Sequence, residues 1–470
     1  MNKISLQNKL QRFIVDFRTA VLGTEKDFVT GSIERAIFML SVPMILEMMM
    51  ESLFAVVDVF FVGRLGVDAI ATVGLTESII MIVYSLCVGL SMGVTAMVSR
   101  RVGERKHKDA ADVAYQSILV AFFIALIIGI FGFIYARDLL FLMGASEELI
   151  SQGYGYTQVL IGGNITIMLL FILNAVFRGA GDASIAMRAL WVSNGLNLIL
   201  DPLLIFGFGP IEGMGVKGAA IATTIGRSIG VAYQLYMLLR GKSVIQLTKE
   251  NMVFRLNIML RLIKVSLGGI GQYLIGTASW IFLVRIISYF GSEAVAGYTI
   301  SIRIIVFTIL PSWGISNAAA TLVGQNLGAQ QPERAEKSVW KCAFYNMLFL
   351  LGMSIAFFIF ADFLVRIFSS ETAVVQYGVT ALRFICTGYI FFAYGMVVSQ
   401  AFNGAGDTRT PTIVNFFCYW MLQIPLAYLL AILTPLEIKG IYLAILTAEI
   451  FLAIIVVIIF RKGKWKLVEV

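Results

Sequence analysis

Long apolar runs follow one another along almost the whole chain, separated by short polar segments. Each run has about 20 residues, the length that an α-helix needs to cross the hydrocarbon core of a bilayer. We therefore predict an all-α polytopic membrane protein with twelve transmembrane helices, over residues 36–62, 73–99, 113–136, 155–178, 185–207, 216–239, 261–288, 295–324, 340–361, 376–402, 412–433 and 440–460.

The second half of the chain repeats the first at an offset of 225 residues. Gly89 matches Gly314, and the turn Gly179-Ala-Gly-Asp182 returns as Gly404-Ala-Gly-Asp407. Each half contains six of the predicted spans, and an even number of spans returns the chain to the side of the membrane on which it began. We therefore predict two six-helix lobes related by a parallel internal repeat, with its axis along the membrane normal.

The same pattern sets the predicted domain boundaries. These are an N-terminal tail, an N-terminal lobe, a linker, a C-terminal lobe and a C-terminal tail, over residues 1–35, 36–240, 241–258, 259–461 and 462–470. Lys and Arg are concentrated in the tails, in the linker and in the loops after even-numbered spans. By the positive-inside rule, we expect both termini and the linker to lie in the cytoplasm.

Composition agrees with a membrane location and narrows the classes of function. Hydrophobic residues make up 59% of the chain and charged residues 14%, which excludes a soluble domain with a polar surface. The net charge of +8 belongs to the loops and tails, so we expect no nucleic-acid partner. The cysteines lie singly in apolar runs and indicate neither a disulfide framework nor a zinc site, at Cys87, Cys342, Cys386 and Cys418.

The first predicted span carries three carboxylates on one helical face. At about 100° per residue, Glu51 lies about 40° and Asp58 about 20° around the helix from Glu47. One ionised side chain at the bilayer centre costs about 2.5–3.5 kcal/mol on insertion scales. We therefore expect this face to contact protein or water and not lipid.

The carboxylates break the internal symmetry. Their counterparts in the second half are uncharged: Glu47 matches Gln272, Glu51 Gly276, Asp58 Leu283, Glu77 Ile302 and Asp201 Leu426. The second half instead carries Arg285 and Arg303 in or beside its spans, with Glu449 as its one clear intramembrane carboxylate. Features kept in both halves are expected to serve the fold, and features of one half the chemistry. Whether the arginines snorkel to the interface, pair with the acids or act in function stays open.

A polar stripe on the fifth span follows the same asymmetry. Asn194, Asn197 and Asp201 fall within about 60° of one another on a helix, and Pro202 follows directly. Carboxylate and amide oxygens are suited to a hard cation, and a carboxylate can also carry a proton. The alternative is an interhelical hydrogen-bond network without a transport role.

These residues together resemble the multidrug and toxic compound extrusion (MATE) family. The resemblance rests on PMILEMMMESLFAVVDVFFVGRLG from Pro43, on the twin turns Arg178-Gly-Ala-Gly-Asp182 and Asn403-Gly-Ala-Gly-Asp407, and on Asn197-Leu-Ile-Leu-Asp201-Pro202. It implies a two-lobe antiporter in a bacterial or archaeal cytoplasmic (inner) membrane. Such a protein exports organic, often cationic, compounds by alternating access, in exchange for protons or sodium ions.

Residue by residue, the resemblance implies a cation-coupling site in the first lobe. Asp58 matches the family's first-helix aspartate, and Asn174, Asn197 and Asp201 match the polar site of its DinF-like and archaeal branch; Na⁺ would bind at these four residues if the transporter is sodium-coupled. The NorM-type branch has acidic residues in helices seven and ten, where this chain has Gln272 and an apolar run. We therefore expect a protein closer to the DinF-like branch.

Further candidates for a proton relay or for substrate binding are Glu47, Glu51, Glu77, Asn194, Gln272, Arg285 and Arg303. Two classes of function are carried forward: the efflux antiporter, and a lipid-linked saccharide flippase of related two-lobe fold, which would need a basic cleft. No motif for a membrane enzyme is present in the sequence. We expect no cofactor beyond the coupling ion, small organic substrates and the lipid bilayer as partners, and a monomer.

Overall fold

The computed structural model describes residues 3–24 and 27–470, and these residues are almost entirely helical. The α-helices are α1 (Lys3–Leu22), α2 (Ile33–Gly63), α3 (Val67–Gly103), α4 (His107–Ile134), α5 (Ala136–Leu142), α6 (Glu147–Gly162), α7 (Asn164–Ala180), α8 (Ala183–Phe206), α9 (Val216–Leu239), α10 (Leu256–Ile287), α11 (Ser292–Gly328), α12 (Pro332–Arg366), α13 (Thr372–Thr387), α14 (Tyr389–Ala405), α15 (Arg409–Asn415), α16 (Ile424–Ile432) and α17 (Ile438–Arg461). A π-helical segment, Phe416–Gln423, joins α15 to α16. A two-residue hairpin pairs β1 (Gly207–Phe208) with β2 (Ile211–Glu212) in antiparallel fashion.

The described residues contain the membrane spans that the hydropathy pattern predicts. Nine helical spans are long and apolar enough to cross a bilayer, and α13 and α14, bent by 57°, form a tenth. The other two are α2 and α9, which carry charges at membrane depth. With 31 residues, α2 is about 46 Å long, ample for a crossing. The prediction of twelve transmembrane helices in two six-helix lobes is confirmed.

The contacts between the lobes come in pairs related by the internal repeat. Gly103 packs against the backbone of Gln325, and Gly328 packs against the backbone of Arg100, which is the same contact seen from the other lobe. At these positions a Cβ atom would overlap the backbone of the facing helix, so only glycine permits the approach. The reciprocal contacts confirm the parallel repeat.

The repeated Gly-Ala-Gly-Asp turns end equivalent helices. Gly181 terminates α7 with φ of 89°, and Gly406 terminates α14 with φ of 91°. This left-handed conformation is readily adopted by glycine and satisfies the last carbonyls of a helix. The glycines kept in both halves therefore serve the fold.

Both ends of the chain lie at one end of the helix bundle, which we call the terminal face. Arg334 donates hydrogen bonds to the carbonyls of residues 28, 30 and 31, and Phe28 is buried. At the other end of the chain, Arg100 Nη2 lies 2.8 Å from Val468 O, and Arg101 Nη2 lies 3.2 Å from Val470 O. Segments from both termini thus bridge the two lobes at this face.

Candidate functional site

A cavity of about 170 Å³ lies between the two lobes. Its walls come from α2, α3, α7, α8 and α9 of the first lobe and from α10, α11 and α14 of the second. Glu47 and Glu51 face it from α2, and Arg178 and Arg227 face it from α7 and α9. We call it the central cavity.

Each glutamate of the central cavity pairs with an arginine of the same lobe. Glu47, which is 1% exposed, has Oε1 3.3 Å from Arg178 Nη1. Glu51 Oε1 lies 3.7 Å from Arg227 Nη2, and Glu51 Oε2 accepts a hydrogen bond of 3.3 Å from Asn194 Nδ2. Two positive and two negative charges therefore balance one another, which lowers the cost of holding them at membrane depth.

Sequence reasoning did not identify these two arginines as partners. Arg178 reads as one more basic residue at a loop, because it lies at the end of a predicted span. Arg227 falls inside the predicted span 216–239. A charged residue within a span needs a partner, so this position was the signal that could have identified Arg227 as part of an ion pair. The predicted candidates Glu47 and Glu51 do come together in one cavity, and Asn194 donates a hydrogen bond to Glu51.

The Glu47–Arg178 pair has an uncharged counterpart in the second lobe. Gln272 and Asn403 stand at the positions that match Glu47 and Arg178 in the repeat. Their amides exchange hydrogen bonds of 2.9 and 3.2 Å, and Asn403 also donates to Gln400. The two lobes therefore conserve the contact between equivalent helices, and the first lobe alone makes it with charges.

A second polar group, which we call the first-lobe cluster, consists of Asp58, Asn197 and Asp201. Asn197 Nδ2 donates to Asp201 Oδ1 at 3.1 Å and to Thr223 Oγ1 at 3.2 Å. Asp58 lies near enough to Asp201 and to Glu77 for their charges to interact. Asn197 Oδ1 and Asp201 Oδ2 are buried and have no hydrogen-bond partner among the described residues. Buried polar atoms are normally satisfied, so these two oxygens are free to accept a ligand.

Asn174, the fourth predicted coupling residue, lies elsewhere in the same lobe. It lines the central cavity, and its Oδ1 accepts a hydrogen bond of 2.5 Å from Gln234 Nε2. In the described part of the chain, no hydrogen bond joins it to Asn197 or Asp201. The four residues therefore divide between the central cavity and the first-lobe cluster.

The second-lobe arginines differ from each other in their surroundings. Arg303 is exposed, and its charge interacts with that of Glu77 across the lobes. Arg285 is also exposed and forms no ion pair with any residue that the structure describes. A search of the described residues finds no group of three or more His, Cys, Asp or Glu side chains able to hold a metal ion.

Comparisons with known proteins agree with the two-lobe geometry. The family model MatE matches residues 43–203 and 270–429, once in each lobe. The chain is 25% identical over 434 residues to the probable multidrug resistance protein NorM of Thermotoga maritima. The aligned residues cover 92% of this chain and 93% of that protein. It is 24% identical to the FAD transporter of Shewanella oneidensis, over 91% of this chain and 94% of that protein.

The fold is shared with solved structures. One is described as the outward-facing conformation of a multidrug resistance MATE family transporter of the MOP superfamily. It superposes with a TM-score of 0.87 at 26% sequence identity, over 94% of this chain and 97% of that chain. The likeness therefore extends over both lobes.

Proposed function

Because the chain belongs to the MATE family of membrane transporters, we propose that it is a secondary active efflux antiporter that exports organic cations in exchange for protons or sodium ions. The observation that carries the proposal is the first-lobe cluster, in which two buried oxygens, Asn197 Oδ1 and Asp201 Oδ2, lack partners among the described residues. A proton or a sodium ion at Asp58 and Asp201 would satisfy these groups. The multidrug resistance relatives support the export of organic compounds.

Helix α2 connects the coupling ion to the substrate. It carries Asp58 to the first-lobe cluster and Glu47 and Glu51 to the central cavity, and it contains Pro43, where a helix bends readily. An ion that binds Asp58 changes the packing of α2 and with it the shape of the cavity. By linkage, ion and substrate then weaken each other's binding by the same factor, tenfold for a coupling of about 1.4 kcal/mol.

A lipid-linked saccharide flippase would need a basic cleft. The arginines of the central cavity are instead paired with glutamates, and Arg285 and Arg303 are exposed. Neither curated relative described above is named as a flippase. The antiporter is therefore the function that we propose.

We also propose that the protein belongs to the DinF-like branch, acts as a monomer and lies in a cytoplasmic membrane with both termini inside. The first-lobe cluster supports the branch, and the basic loops support the topology.

Topology is tested by labelling a cysteine placed at Glu250, whose side chain is 77% exposed, in intact cells. The four native cysteines are buried and give little background. Efficient labelling from outside would contradict a cytoplasmic linker.

Transport is tested in proteoliposomes that contain purified protein and ethidium, a fluorescent organic cation. We expect an imposed proton or sodium gradient to drive ethidium transport by the wild type. Asp58→Asn and Asp201→Asn should abolish transport, because the neutral amides cannot exchange a proton or balance a sodium charge. Asp138→Asn, at an exposed position in the first turn of the short helix α5, is the matched control. Full gradient-driven transport by Asp58→Asn would remove Asp58 from the mechanism.

The coupling ion is identified by binding. Ethidium affinity in detergent is measured across pH and across sodium concentration, with potassium keeping the ionic strength constant. The coupling ion should weaken ethidium binding to the wild type and raise the thermal stability of the wild type. It should have neither effect on Asp58→Asn. If neither ion changes the affinity, competitive coupling through the first lobe is wrong.

A further inference from the structure

The second lobe contains a carboxylate, Glu449, that has no basic partner in the part of the chain that the structure describes. Glu449 on α17 accepts a hydrogen bond of 3.1 Å from the hydroxyl of Tyr419. Within the described residues, it forms no ion pair with Lys or Arg, whereas Glu47 and Glu51 each have an arginine. In the repeat, the position that matches Arg227 is occupied by Leu452, which lines the same cavity as Glu449. The second lobe therefore holds a carboxyl group at membrane depth that has a hydrogen-bond donor but no Lys or Arg partner among the described residues.

Glu449 faces a cavity of about 610 Å³, which we call the second-lobe cavity. Its other walls are largely apolar and rich in aromatic rings, contributed by Tyr273, Trp280, Trp313, Phe392 and Tyr419. Aromatic faces attract cations, and the attraction increases when the cation leaves water. A carboxylate beside such walls is suited to an organic cation with a bulky apolar body.

The second-lobe cavity adjoins the central cavity. Tyr273, Trp313 and Gln400 line both. In the central cavity a cation would have to displace Arg178 or Arg227 from its glutamate before it could pair with a carboxylate. Glu449 offers its charge without such competition.

An unusual backbone places Tyr419 against Glu449. Tyr419 belongs to the π-helical segment Phe416–Gln423, whereas the matching stretch of the first lobe lies within the regular helix α8. Trp420 Nε1 donates to Ile275 O at 3.1 Å, and Ser279 Oγ donates to Gln423 Oε1 at 3.1 Å, so α10 holds the segment in place. Such segments are rare and occur frequently at functional sites.

We propose that Glu449 and Tyr419 form the recognition site for the positively charged group of the exported compound. The coupling ion then binds in the first lobe, and the positively charged group of the substrate binds in the second lobe. This inference rests on the proposed export of organic cations, and it assigns substrate recognition to residues distinct from Asp58 and Asp201.

The test is equilibrium binding of rhodamine 6G, a fluorescent organic cation, to purified protein in detergent by fluorescence polarisation. We expect Glu449→Gln to weaken binding at least tenfold and Tyr419→Phe to weaken it severalfold, with Glu449→Asp intermediate. Glu371→Gln, at an exposed loop position, should bind like the wild type. Thermal unfolding of each variant shows whether the protein is folded when binding is measured.

Wild-type affinity in folded Glu449→Gln would overturn the inference, and so would a wild type that does not bind rhodamine 6G. Failure of the proposed function has a different signature. If binding depends on Glu449 but neither a proton nor a sodium gradient moves rhodamine 6G in proteoliposomes, the recognition site stands and the antiport mechanism falls.

Discussion

Ser99 and Gly324 pack against each other across the boundary between the lobes, and each is the counterpart of the other in the internal repeat. Two equivalent residues can meet only on the axis that relates the lobes. The contact lies between α3 and α11, close to the reciprocal contacts of Gly103 and Gly328. The lobes are therefore joined at the terminal face in this structure, and the alternating access that we propose would require this junction to open.

Gly324→Ala should favour separation of the lobes at the terminal face, because a Cβ atom at this position would overlap the Ser99 side chain. We expect a longer distance between spin labels at Lys106 and Gln331, two equivalent exposed positions, measured by pulsed electron paramagnetic resonance. Gly352→Ala is the control, since nothing lies within 4 Å of an added Cβ there. An unchanged distance distribution in Gly324→Ala would show that the junction accommodates the methyl group.

Much of the fold follows from local patterns in the sequence. Apolar runs predict spans because lipid offers no partner for exposed backbone groups. The repeat predicts the relation between the lobes, and the helical angle correctly places Glu47 and Glu51 together. Each of these features depends either on the residues of one helix or on the one offset that relates the two halves. A single sequence therefore contains the information needed to predict them.

The pairing of the charges could not be predicted in this way. Arg178 and Arg227 reach the glutamates of α2 from other helices, and helical periodicity says nothing about which faces meet. The π-helical segment that holds Tyr419 was also missed, since its sequence, FFCYWMLQ, reads as an ordinary apolar helix. Asymmetry between the halves was the more useful guide, because it identified Glu449 as unusual before any contact was known.

The equivalent aspartates of the two turns should differ when replaced. Asp182 Oδ2 accepts hydrogen bonds of 2.6 Å from Ser243 Oγ and from Val244 N, and so holds the linker, whereas Asp407 accepts locally from Thr410. We expect Asp182→Ala to increase cleavage of the linker in limited proteolysis. Asp407→Ala should lose only a local cap, about 1 kcal/mol, and leave the linker protected. Equal cleavage in the two variants would contradict a specific role of Asp182.

Asp27 should make the stability of the terminal face depend on pH. Burial acts to raise the pKa of Asp27, but hydrogen bonds from Val29 and Thr30 and the charge of Arg105 outweigh it, and the pKa lies below its ordinary value. A lowered pKa stabilises the fold above the unfolded-state pKa of about 3.9, and this contribution is lost as the pH falls through the folded-state pKa.

The thermal stability of wild type and Asp27→Asn measures this effect. The difference between them should be constant above about pH 5 and shrink below about pH 4. Because Asp27 is largely accessible to solvent, we expect less than about 1 kcal/mol. A difference that is the same at pH 3 and pH 7 would exclude a contribution from the Asp27 charge.

The amide pair of the second lobe suggests how the charges of Glu47 and Arg178 can be removed without unfolding the first lobe. Arg178→Asn alone leaves the Glu47 carboxylate buried without its partner, and breaking a buried pair in this way costs about 3–5 kcal/mol. Glu47→Gln together with Arg178→Asn installs the amide pair that Gln272 and Asn403 already form at the equivalent positions. We expect thermal unfolding in detergent to show a large loss of stability in Arg178→Asn and a recovery of most of it in the double variant.

The same double variant separates a structural role of the pair from a role in transport. If the charges serve only to join α2 to α7, the amide pair should preserve both stability and gradient-driven ethidium transport. If Glu47 relays protons towards Asp58, the double variant should be stable but slow in transport, because glutamine cannot exchange a proton. A double variant as unstable as Arg178→Asn would contradict this equivalence of the two lobes. The same pair of amides would then stabilise the helix contact in the second lobe but not in the first.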